Sequence, residues 1–166
     1  MPKPKTAIPQ TIGVRTHAAG AIYGTIAAMA VIGAAARSQS DAQILALTVV
    51  TLLILWLAHV YAETLAHHLK HGGEPDWNAA VTAMREEWAM LIGPAPMLVV
   101  LGLGGVGILD EDVALTLALW TGLAQLVVWG VTYARRLEWG WPRAVGVGLV
   151  NGMFGLMIVL LEVIVH

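Results

Sequence analysis

Five apolar runs set the pattern of the chain, at about 17–36, 43–68, 90–109, 112–135 and 143–165, separated by short polar connections. A helix needs about 20 mostly apolar residues to cross a hydrocarbon core of ~30 Å, where backbone must satisfy its own hydrogen bonds. The pattern therefore predicts an all-α integral membrane protein: five transmembrane helices in a single domain over residues 1–166. The connections are short, so consecutive helices are expected to pack as antiparallel neighbours. Gly72-Gly73-Glu74-Pro75-Asp76 ends the second run. The segment 77–89, which carries Arg85, Glu86 and Glu87, then reads as a short amphipathic helix lying at the interface before span three. The first run follows Lys3, Lys5 and Arg15 and ends in Ala34-Ala35-Ala36, a loose match to a signal peptide. It is read here as a retained first span.

Basic residues give the direction. Lys3, Lys5 and Arg15 precede span one, Lys70 and Arg85 fall between spans two and three, and Arg135, Arg136 and Arg143 between spans four and five. Arg37 alone falls on the other side, whereas the third connection is Asp110-Glu111-Asp112. The excess of Lys and Arg in cytoplasmic connections predicts a cytoplasmic N-terminus in an inner or plasma membrane. Trp77, Trp88, Trp139 and Trp141 fall at the same boundaries and read as interfacial anchors.

Composition agrees. Hydrophobic residues make up 58% of the chain and charged residues 12%, against about 25% charged in soluble domains. A net charge of −2 with no basic run gives no reason to expect nucleic acid as a partner. The absence of cysteine removes disulfides, thiolate nucleophiles and cysteine-ligated metal sites.

The chemistry-bearing residues cluster on span two, where WLAHVYAETLAHHLKH runs from Trp56 to His71. At about 100° per residue, Thr48, His59 and Glu63 fall within ~60° of one another, with Trp56 beside them and His67 and Lys70 continuing the same side. An ionisable group within a span normally faces protein or water. Tyr23 on span one, Gln125 on span four and Asn151 on span five are expected at similar depth, giving a polar vestibule open to the cytoplasm. The outer half is expected to hold little polarity besides Glu162.

Three readings follow. In the first, His59 and Glu63, at i and i+4, handle protons or small cations, because histidine changes charge near neutrality and a carboxylate favours its protonated form. The pathway would be touched by Tyr23, Thr48, Trp56, His67, Gln125 and Asn151, with the acidic third connection concentrating cations at its outer mouth. In the second, the chain is a metal-dependent membrane enzyme and the same residues are its metal ligands. His-His-Leu-Lys-His at 67–71 resembles the histidine boxes of membrane di-iron hydroxylases and desaturases over those five residues only. That resemblance implies a divalent metal held by some of His59, Glu63, His67, His68 and His71, and zinc needs only three protein ligands. In the third, the chain is an accessory subunit of a larger membrane assembly, with the polar side chains joining its helices. No cofactor is otherwise implied.

Gly20-x-x-x-Gly24 and Gly148-x-x-x-Gly152 provide small faces that let helices approach closely. Spans one and five are therefore expected to be close neighbours, or the faces of a homo-oligomer. Span three, with Pro94, Pro96 and four glycines after them, is expected to be the broken or moving element.

Overall fold

A computed structural model of the chain describes residues 11–36, 39–71 and 77–165. Lys3, Lys5, Arg37, the segment 72–76 and His166 lie outside the described residues, as do the side chains of Arg15, His17, Lys70, His71 and Glu162. All regular structure among the described residues is helical. The elements are α1 (Thr11–Ala35), α2 (Asp41–His71), α3 (Trp77–Glu87), α4 (Ala89–Ile92), α5 (Ala95–Gly105), α6 (Glu111–Arg136) and α7 (Trp141–Val165).

Stretches within α1, α2, α6 and α7 are long and apolar enough to cross a membrane, and the bent pair Ala80–Ile92 and Ala95–Gly105 makes a fifth crossing if counted as one span. At about 1.5 Å per residue the 31 residues of α2 reach ~46 Å, well past a bilayer core, so one end of this helix projects beyond it. Its start is fixed locally: the Ser40 N–H donates to Gln43 Oε1 at 3.1 Å, the reciprocal half of a capping box. α6 starts at Asp110, whose carboxylate accepts the Asp112 N–H at 3.1 Å. It carries Glu111 and Asp112 in its first turn and Arg135 and Arg136 in its last, each sign placed against the opposite pole of the helix dipole.

The helix expected over 90–109 is not continuous. Pro94 and Pro96 offer no N–H to the carbonyls four residues earlier, those of Met90 and Ile92. The chain bends by 53° at Gly93-Pro94, between α4 and α5. With 11 residues, α5 reaches only ~16 Å. The helical region beginning at Trp77 instead continues past the expected end of the interfacial helix, through α4.

Packing explains how the break is tolerated. Gly20 and Gly24 of α1 form the seat for α4: a Cβ on Gly24 would land on the Met90 carbonyl, and a Cβ on Gly93 would lie 2.6 Å from the Ala21 carbonyl oxygen. On α7, Gly148 and Gly152 pack against Val127 of α6, and Gly155 against Leu123 and Leu126. The two small-residue faces are therefore filled by different partners, α4 and α6, although α1 and α7 do touch. Between them lies a wholly apolar core that includes Met29 and Ile32 of α1, Ile44 and Leu52 of α2, Met97 and Leu101 of α5, and Leu126 of α6.

Candidate functional site

Charged side chains gather at the two ends of the bundle, and the end that holds Arg85, Glu87 and Arg136 carries both signs. At one end, Asp41 of α2 meets the acidic start of α6 at Asp110, Glu111 and Asp112. At the other, Arg85 and Arg136 stand together beside α1, near the level of His59.

His59 occupies a crevice of about 260 Å³ between α1, α2 and the α3–α4 segment, with Ala19, Gly20, Tyr23, Glu87 and Met90 as its other lining residues. Its ring is tilted at 51° to that of Tyr23, with centroids 5.2 Å apart. Nδ1 lies 2.9 Å from the carbonyl oxygen of Leu55, one turn back on its own helix. A carbonyl only accepts, so Nδ1 is the donor and carries hydrogen. The neutral ring then has its lone pair on Nε2. Tyr23 and Glu87 are the hydroxyl and carboxyl groups that share this recess with the imidazole.

The chain supplies the recess for simple reasons. Gly20 has no side chain to fill it, and the α4 turn is drawn against α1 by the same glycine face. Glu87 precedes Met90 by three residues, so both turn to the same side of the α3–α4 segment. Of the stretch Arg85-Glu86-Glu87, it is Glu87 that lines the same crevice as His59.

The remaining sequence-derived residues are dispersed. Glu63 is exposed on α2. Thr48 is fully buried, and its hydroxyl donates to the Ile44 carbonyl at 2.7 Å. Trp56 stands edge-on to Trp88, ring centroids 6.0 Å apart, with its indole nitrogen buried and without a hydrogen-bond partner among the described residues. Gln125 reaches the break between α4 and α5, donating from Nε2 to the Gly93 carbonyl at 2.6 Å, while Oε1 is buried and has no hydrogen-bond partner among the described residues. Asn151 lies over Gly130 in the α6–α7 seam. His68 Nδ1 donates to the Thr64 carbonyl, 2.9 Å away, and His67 is exposed. Among the described residues no three His, Asp or Glu side chains converge as metal ligands.

Asp41 was not legible as a site residue. It is only 3% exposed, its Oδ2 has no hydrogen-bond partner among the described residues, and its carboxylate lies on Gly104, where a Cβ would collide with it. The half of the bundle expected to be nearly free of polar groups thus holds a buried carboxyl. A clue lay in Gly104 and Gly105 of the third run, which leave room on α5 opposite the start of α2.

Comparison with known protein families, with curated proteins and with solved structures finds no match to this chain.

Proposed function

We propose that this is a multi-pass protein of the cell membrane that moves protons or small cations, with its N-terminus in the cytoplasm and the His59 crevice on the inner side. The observation that carries this reading is the crevice itself. It gathers an imidazole, a phenol and a carboxyl from three separate helical segments onto one recess, at a level where ionisable side chains are costly unless used or solvated. The buried Asp41 carboxyl, 18 residues earlier on the same helix and so ~27 Å along its axis, gives the outer side a second proton- or cation-binding group. Between them Met29, Ile32, Leu52, Met97 and Leu101 form an apolar layer within one protomer. The reading therefore includes a homo-oligomer, with passage across that layer between protomers.

Flux from proteoliposomes tests it, following internal pH and a panel of cations for the wild type, His59→Ala and Glu87→Gln. Flux that is lost in both variants while each remains folded supports the reading. A wild type that is folded and passes nothing under any gradient overturns it.

A further inference from the structure

The α3 helix divides its charges between two recesses. Residues 85 and 87 are about 200° apart around the helix, so Glu87 joins the His59 crevice while Arg85 turns to the other side, towards α6. There Arg85 and Trp88 meet Trp129, Thr132, Tyr133 and Arg136, which follow one another at i, i+3, i+4 and i+7 along a single stripe of α6. Together they border a half-open cleft of about 310 Å³, and the small side chains of Ala18 and Ala21 on α1 leave its floor clear.

Two features make this cleft more than a gap between helices. First, its arginines are uncommitted. Arg135 donates to the Trp139 carbonyl at 2.9 Å and lies 4.9 Å from the centre of the Trp141 ring, closing the turn into α7. Arg136, next to it in sequence, lines the cleft; it and Arg85 are exposed, and among the described residues neither has an ion-pair partner. Two arginines bordering one recess that no acidic residue lines favour an anion, and planar guanidinium forks match phosphate oxygens in pairs. Second, the rest of the wall is amphipathic. The Tyr133 and Thr132 hydroxyls can donate to an anion, whereas Trp88, Trp129 and Ile92 offer apolar surface to a chain attached to it.

We propose that this cleft binds the phosphate of an anionic phosphoester, with Arg85 and Arg136 clamping the phosphate and the tryptophans covering the carbon skeleton. A phospholipid headgroup and a free organic phosphate share that chemistry. The lipid fits the apolar wall and the two arginines that line it, since basic pockets between membrane helices on the cytoplasmic side bind anionic headgroups. This inference is independent of any flux. A bound phosphate ties α3 to α6 across the broken span, so occupancy raises the unfolding temperature.

The test uses the purified full chain in neutral detergent. Binding is read by tryptophan fluorescence, unfolding temperature and native mass spectrometry. The probes are short-chain phosphatidylglycerol, phosphatidylcholine with the same chains, and glycerol 3-phosphate. The expected result is binding of phosphatidylglycerol in preference to phosphatidylcholine, weakened about tenfold or more by Arg85→Gln or Arg136→Gln and unaffected by Arg143→Gln, which removes the same charge outside the cleft. Unfolding temperatures without any probe show which variants are folded. If the glutamine variants are not, Arg85→Lys and Arg136→Lys keep the charge but lose the paired geometry, and weaker binding is again expected. Displacement of the lipid by glycerol 3-phosphate at similar concentration assigns the cleft to a free phosphoester, and resistance to displacement assigns it to lipid. Equal binding of the two lipids, or unchanged binding in folded variants at Arg85 and Arg136, overturns the proposal.

Discussion

Gln125 of α6 donates its side-chain amide to the carbonyl of Gly93 at 2.6 Å, across 32 residues of sequence and onto the break between α4 and α5. Unpaired backbone polar groups are expensive in a hydrocarbon environment, and the bend at Gly93-Pro94 creates them. Gln125→Leu removes the donor, but it also removes the buried, unpartnered Oε1 and so relieves part of the loss. The expected net destabilisation is about 1 kcal/mol, nearer the bilayer average for such bonds than the larger values seen in soluble cores. Reversible unfolding in mixed micelles measures it, and a more stable variant would show that burying the amide costs more than its bond to Gly93 contributes.

Gly24 and Gly146 make a sharper comparison. Both are helical glycines, but a Cβ on Gly24 meets the Met90 backbone carbonyl, which cannot rotate away, whereas nothing lies within 4 Å of a Cβ on Gly146. Gly24→Ala is expected to destabilise by about 1–3 kcal/mol through overpacking. Gly146→Ala should be neutral or stabilising by up to ~1 kcal/mol, because alanine loses less backbone entropy. Gly20→Ala, whose Cβ meets the Met90 nitrogen at 3.4 Å, should fall between them. The order of the three unfolding free energies is the measurement.

Why the spans were legible and the site was not follows from the range of each signal. Span length and apolarity are local, and α2, α6 and α7 end within about two or three residues of the expected limits. The prolines marked the third span as breakable from sequence, but the seat that holds the break is made by Gly20 and Gly24, some 70 residues earlier on α1. Helical angles put Thr48, His59 and Glu63 on one side of α2, yet that angle says nothing of what lies opposite. Thr48 turned out to bond its own helix, and Glu63 to be exposed. Glu87 became a partner of the His59 crevice only through the packing of α3–α4 on α1. Asp41 reads in sequence as an acidic residue favourable to a helix start, and the glycine that buries it belongs to α5.

That burial gives a coupling prediction. A Cβ on Gly104 would strike both the Asp41 carboxylate and, at 2.5 Å, the Ala114 Cβ. Gly104→Ala is therefore expected to destabilise by about 1–3 kcal/mol. Asp41→Ala should recover only part of that loss, since the contact with Ala114 remains. A double-mutant cycle in unfolding free energy should give a coupling of about 0.5 kcal/mol or more. Additivity within error would mean that Asp41 and Gly104 are not in contact.

Glu63 and Glu87 separate the proposed pathway from the simpler expectation that everything polar on α2 takes part. Glu63 lies one turn from His59 on the same helix but is exposed, while Glu87 comes from another helix into the recess that His59 lines. If protons pass by way of that recess, Glu87→Gln should reduce proton flux by about tenfold or more, because loss of an ionisable group within the membrane leaves a barrier that neighbouring residues do not replace. Glu63→Gln should retain most of the flux. Tyr23→Phe keeps the ring that stacks against His59 and should preserve stability, whereas Tyr23→Ala should cost about 0.5–1.5 kcal/mol on loss of that ring contact. The comparison is made in proteoliposomes at matched protein content, with initial rates taken under the same pH gradient. If Glu63→Gln abolishes flux while Glu87→Gln leaves it intact, the route follows the exposed face of α2 and bypasses the recess.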